Sequence, residues 1–261
     1  MKVCLYGDSY VDDAITCANT ISWTAQLAND YPIISNYGKS GSGPEYSLSM
    51  LRQHGGDLII FITGKSERLP FPNLPHPGLA VDISNIYYYK HPLSSVKDSL
   101  RDYISTHSSS IKYLYRTLRE HIRHRTEEII SYLSYYANTT HSYILCIPTT
   151  NPFITSVDRE SVNGAVISIP QAILDHFRSK YFTLYPYNLA SISLNEYDTR
   201  FKQQIKSSLG YTDLRQNHLS QCNHNILYNN IHRILEHEDC VPHELHFLND
   251  TSQGDTYIYD Q

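Results

Sequence analysis

Charge is sparse in this 261-residue chain: 18% of residues are Asp, Glu, Lys or Arg, and the net charge is −5. A general nucleic-acid binder carries a basic surplus, so this balance argues against nucleic acid as a partner. Cysteine is also scarce. Cys4, Cys17, Cys146, Cys222 and Cys240 are scattered, odd in number and without a CxxC pair, so neither a zinc site nor a disulfide framework is signalled. Reduced thiols in a cytoplasm-like compartment are expected. No stretch approaches the roughly 18 apolar residues of a membrane span. The N-terminus has one lysine and then a strand-length apolar run, which is not a signal-peptide pattern. A membrane partner is therefore not expected. There is no Walker lysine pattern, no GxGxxG, no internal repeat and no linker, which leaves a nucleotide loop without support. Phenylalanine is outnumbered by tyrosine, seven to 23, and the tyrosines read as strand and surface residues.

What the chain does contain is a series of short apolar runs, each ending in a polar, Gly- or Ser-bearing turn. Val3 to Tyr6 is long enough for one buried strand and stops at Gly7. Asp12 to Asn29 carries Ile15, Ala18, Ile21, Trp23, Ala25, Leu27 and Ala28, an amphipathic helical pattern ended by Tyr31-Pro32. Pro32 to Asn36 predicts a second strand, and it runs into Tyr37-Gly-Lys-Ser-Gly-Ser-Gly43. Pro44 to Gln53 predicts a helix closed by Gly55-Gly56. Asp57 to Thr63 is continuously apolar, as a parallel strand covered on both faces should be, and ends in Gly64-Lys-Ser-Glu-Arg68.

Leu69 to Gly78 is proline-rich and irregular. Ser95 to Ile104 and Ser108 to Tyr136 predict two helices of an insertion covering about residues 69–140. The basic run Arg116, Arg119, His121, Arg123, His124, Arg125 reads as a solvated face relieved by Glu120, Glu127 and Glu128. Tyr143 to Ile147 predicts a fourth strand, Ile169 to Lys180 a helix and Tyr181 to Leu189 a fifth strand. Glu196 to Ser208 and Gln221 to Glu236 predict two more helices, and a polar tail follows from about residue 240. The fold class is α/β: a three-layer α/β/α sandwich with a mainly parallel, flavodoxin-like sheet of about five strands. One domain spans residues 1–261, with the helical insertion inside it.

Three features fall at strand ends: Asp8-Ser9 after the first, a glycine turn after the second, and an Asp/His loop before the last helix. Taken singly, Asp8 and Ser9 are ordinary turn and helix-capping residues. Acyl transfer needs a nucleophile, N–H donors for an oxyanion and a histidine base oriented by a carboxylate. Those parts occur here in the order Ser, Gly, Asp, His.

On these residues the chain resembles the SGNH/GDSL hydrolase family. Gly7-Asp8-Ser9 matches that family's nucleophile block. Asn36-Tyr-Gly-Lys-Ser-Gly41 is similar to its second block, whose glycine N–H serves the oxyanion hole. His218-Leu-Ser-Gln-Cys-Asn-His224 is similar to its last block, whose first histidine is the base. The resemblance implies a serine esterase or acylhydrolase, with carbohydrate O-deacetylation as the particular reaction in view. Ser9 would be nucleophile, His218 base and Asp213 its orienter. Gly41 and Ser66 would form the oxyanion hole, with Asp8 and Asn36 in support. It implies no cofactor and no metal, and a small-molecule or glycan ester as substrate.

Two positions depart from the pattern. Ser66 stands where the family has an asparagine donor, and Arg215 stands where the orienting carboxylate belongs, so Asp213 lies five residues before His218. The turn Thr63 to Arg68 and the loop Asp213 to Ser220 are similar to those of SGNH-like proteins of tailed phages, which have the fold without an established activity. The alternative is thus a catalytically degenerate module that binds a glycan or a protein partner. The location is then cytoplasmic or virion-associated. Flavin or phosphate binding at the first turn is disfavoured, because that turn has few glycines and no Ser/Thr cluster. His224 reads as a packed or capping residue, and His121 and His124 as solvent-facing.

Overall fold

A computed structural model describes residues 2–12, 21–32, 34–66, 68–69, 81–82, 98–149, 153, 169–189, 219 and 221–236. Its centre is a five-stranded sheet of β1 (Val3–Gly7), β2 (Ile34–Gly38), β3 (Leu58–Ile62), β6 (Tyr143–Ile147) and β7 (Phe182–Leu184). The order is β2-β1-β3-β6-β7 and every pairing is parallel. This is the flavodoxin-like order of a doubly wound sheet. A two-residue antiparallel ladder joins β4 (Arg68–Leu69) to β5 (Val81–Asp82) beside it.

The sheet is covered on both faces because its strands alternate between two apolar clusters. Val3, Leu5, Leu58, Ile60, Ile62, Leu145 and Ile147 share one cluster with Trp23 and Leu27 of α1 (Trp23–Asp30) and with Leu227, Ile231 and Ile234 of α5 (Gln221–Glu236). Cys4, Tyr6, Ile59, Phe61, Ile144 and Cys146 point the other way. They meet Leu51 of α2 (Pro44–His54), Ile129, Ile130, Leu133 and Ala137 of α3 (Asp98–Thr140), and Leu174 of α4 (Gln171–Phe177). Period-two alternation of wholly apolar strands therefore builds three layers. Each fully buried Leu, Ile or Phe contributes roughly 1.5–3 kcal/mol of apolar transfer. Cys4 and Cys146 are free and buried, and burial pushes both thiols up.

Several boundaries differ from the sequence reading. Of the helix expected over Asp12 to Asn29, the described part is α1, which begins at Trp23, where the Ser22 hydroxyl accepts the Ala25 N–H at 3.0 Å and caps it; residues 13–20 lie outside the described residues. β2 is displaced two residues along the chain, ending at Gly38, where its ladder with Gly7 closes. The stack of Tyr37 on Tyr6, centroids 5.1 Å apart, stabilises that register. The two insertion helices are one continuous helix, α3, because the polar stretch Ser105 to Ser110 contains no Gly or Pro to break it. β7 is shorter than expected. The expected helix at Glu196 to Ser208 and the tail lie outside the described residues. Among the described residues, no helix is long and apolar enough to cross a membrane.

Candidate functional site

The helix layers explain where a site belongs. α1 leaves β1 on one face of the sheet, while α2 and α3 lie on the other, so the chain switches sides between β1 and β3. In open α/β sheets the carboxyl ends of strands at that switch form a crevice. The loop after β1 carries Asp8 and Ser9, the loop after β2 carries Gly41, and the loop after β3 carries Ser66. These are three neighbouring loops on one sheet edge. Ser9 is partly exposed there. Asp213 and His218 lie outside the described residues; Leu219, which follows His218 in the chain, is buried in the cluster that holds Tyr10 and Val11.

The loop after β1 is a tight turn built by Asp8. Its carbonyl accepts from the N–H groups of Val11 and Asp12 at 3.0 and 3.1 Å, and its Oδ1 accepts from Tyr10 N–H at 3.2 Å. This is the turn-shaping role expected of Asp8. The turn is then tied to the β2 loop at several points. Asn36 Nδ2 donates to Val11 O at 2.8 Å, while its Oδ1 accepts from Gly38 N–H, also at 2.8 Å. Asp12 Oδ2 accepts Ser40 N–H at 2.7 Å, and Lys39 N–H donates to Gly7 O at 3.1 Å. Gly38 is required by this approach: a Cβ there would stand 2.7 Å from the backbone of Val11 and Asp12. Gly41 has φ +76°, in the left-handed region where a side chain is strained. It follows Ser40 in a turn closed by Ser42 N–H to Lys39 O, 3.1 Å.

Two arginines complete the site, neither of them among the site residues expected from the sequence. Arg68 Nη1 donates to Asp8 Oδ2 at 2.9 Å and to Ser42 O at 3.2 Å. The pair is almost dry, with the Asp8 side chain 2% and the Arg68 side chain 12% exposed. One guanidinium group thus clamps the β1 loop to the β2 loop. Arg125, from α3, pairs with Glu45 near the start of α2 and donates from Nη1 to Ser66 O at 3.0 Å and to Arg68 O at 3.4 Å. Burial pulls its guanidinium down from its usual range, against the favourable field of Glu128. This corrects the reading of Arg125 as part of a solvated basic face. Its neighbours His121 and His124 are exposed, as expected. A signal was available: Arg125 lies four residues before Ile129 and eight before Leu133, on the stripe of α3 that is buried.

Ser66 is buried at 4% exposure. Two described histidines of the last helix sit apart from these loops. His224 is a capping residue, as expected: its Nδ1 accepts the Trp23 N–H at 3.4 Å, one of the orphan donors at the start of α1, and burial pushes its pKa down to about 4. His232 of α5 lies 3.7 Å from Asp30 at the end of α1 and 3.2 Å from Glu236. Among the described residues, no group of three or more His, Cys, Asp or Glu side chains is placed to hold a metal ion. Comparison of the chain with family models, curated proteins and solved structures returned no match.

Proposed function

We propose that the chain is a serine esterase or acylhydrolase of SGNH type, with carbohydrate O-acetyl esters as the first substrate class to test. In this reading Ser9 Oγ attacks the ester carbonyl while His218, oriented by Asp213, takes its proton. The N–H groups of Ser9 and Gly41, with the Ser66 hydroxyl, receive the charge on the carbonyl oxygen. Collapse expels the alcohol, which regains the proton from His218, and water then releases the acyl group from Ser9 by the same steps.

The observation that carries the reading is the fastening of three loops at one sheet edge. Arg68 joins the Asp8 turn to Ser42, and Arg125 holds the Ser66 carbonyl. A nucleophile next to preorganised N–H groups needs such rigidity, because oxyanion donors act through their fixed position. Turnover of p-nitrophenyl acetate tests it directly. Loss of one oxyanion donor or of the base typically costs about 100-fold or more, so Ser9→Ala and His218→Ala should each abolish turnover above background. Equal turnover in the wild type and Ser9→Ala would sink the proposal.

Two departures favour the second reading, a binding module that has lost catalysis. Ser66 is a short donor where the family has asparagine, and Arg215 replaces the expected carboxylate. That reading predicts a folded protein with no Ser9-dependent turnover that still retains a glycan or protein ligand.

A further inference from the structure

The long helix α3 is inserted between β3 and β6, and its C-terminal half alone would cover the sheet. Arg125 sits at the point where that helix passes the loop after β3. We infer that Arg125 and Arg68 are positioning residues through which the inserted helix holds the nucleophile turn and the oxyanion turn at a fixed separation. The inference rests on the esterase reading for its catalytic meaning, but the mechanical coupling stands on contacts alone.

The chain of contacts is short and unbroken. Arg125 pairs with Glu45 of α2 and donates to the carbonyls of Ser66 and Arg68. Arg68 is therefore held at its backbone by Arg125, while its side chain reaches Asp8 and Ser42 O. Asp8 precedes Ser9, and Ser42 follows Gly41. A planar fork with several fixed donors suits this bridging, which a lysine would not reproduce with the same geometry. Arg125 lies two steps from Ser9, so it acts by placement and not by contact with substrate. The clamp also gives the inserted helix a role that its packing against the sheet does not explain.

Hydrogen–deuterium exchange of the full chain, read by mass spectrometry, tests the coupling without reference to activity. In Arg125→Met, peptides covering residues 7–12 and 38–43 should exchange about tenfold faster or more, while β3 stays protected, because local opening is governed by local contacts. In parallel, kcat for p-nitrophenyl acetate should fall about tenfold or more with KM within twofold, as expected for misplaced reacting groups. Arg125→Lys keeps the charge facing Glu45 and provides a folded comparison if the methionine variant is unstable; the same changes should appear in smaller measure. Unchanged exchange in both segments of a folded variant would overturn the inference, as would a change in KM alone. If the wild type neither turns over ester nor needs Ser9, the esterase reading fails, and the exchange result still decides the coupling.

Discussion

Replacing Arg68 by methionine removes the cation from a carboxylate that has almost no water to turn to. The Asp8 side chain is 2% exposed, and its Oδ2 receives Arg68 Nη1 at 2.9 Å. The alkyl stem of methionine keeps much of the packing but none of the charge. Breaking a buried pair from one side typically costs about 3–5 kcal/mol, because the remaining charge stays buried and uncompensated. At roughly 2–4 °C per kcal/mol for a domain near this size, the melting temperature should drop by about 6–20 °C. Asp8→Asn in the same background removes the stranded charge and leaves a side-chain oxygen for Tyr10 N–H, the contact now made at 3.2 Å. The double variant should therefore recover at least about 2 kcal/mol over Arg68→Met alone, a coupling of the size seen between residues in one network. Urea unfolding followed by circular dichroism measures all four corners of the cycle. A loss below about 1 kcal/mol for Arg68→Met, or a double variant no more stable than the single one, would show that the Asp8–Arg68 pair is not a buried clamp.

Two further perturbations probe separate parts of the structure. Burial holds His224 neutral in the fold, with its pKa pushed down to about 4, against about 6.5 in an unfolded chain. Its contribution is fully present above pH ~6.5 and drains away as the pH falls toward about 4, where the unfolded chain has taken up the proton and the folded one has not. The ring keeps some contact with solvent, which brings the loss to about 2 kcal/mol rather than the ~3 kcal/mol of the full shift. The gap between urea midpoints at pH 7 and pH 4.5 should narrow in His224→Gln, and an unchanged gap would exclude this residue as its source. Gly38→Ala forces a Cβ to within 2.7 Å of the Val11 and Asp12 backbone. It should cost about 1–3 kcal/mol as an overpacked contact, and should slow ester turnover because the displaced segment is the turn carrying Ser9. Wild-type stability and turnover in that variant would show that the approach is not needed.

The layer structure was legible because the three central strands are nearly pure apolar runs bounded by a glycine or a polar turn. Val3 to Tyr6, Leu58 to Ile62 and Tyr143 to Ile147 carry that pattern without ambiguity. The helix over Gln221–Glu236 was read to its ends for the same reason, a clear apolar period. Boundaries set by a single contact were not legible. The start of α1 is set by the Ser22 hydroxyl accepting the Ala25 N–H, a cap that the apolar period alone does not mark. The edge strand β2 depends on Gly38 meeting a backbone 26 residues earlier. Within the candidate site, Ser9, Gly41 and Ser66 could be located because each follows an identifiable strand. The clamp could not be read in the same way. Arg68 and Arg125 are 57 residues apart in the chain, and a charged residue in a basic run looks solvated until its partners are placed. Arg125 was the exception that the apolar stripe of α3 could have exposed.

Labelling with a fluorophosphonate probe asks whether Ser9 is an activated nucleophile. Peptide mass spectrometry would locate the adduct on the intact chain. One adduct is expected, on Ser9, lost in both Ser9→Ala and His218→Ala. A folded protein that takes up no label at high probe excess, or labels equally in His218→Ala, would contradict it.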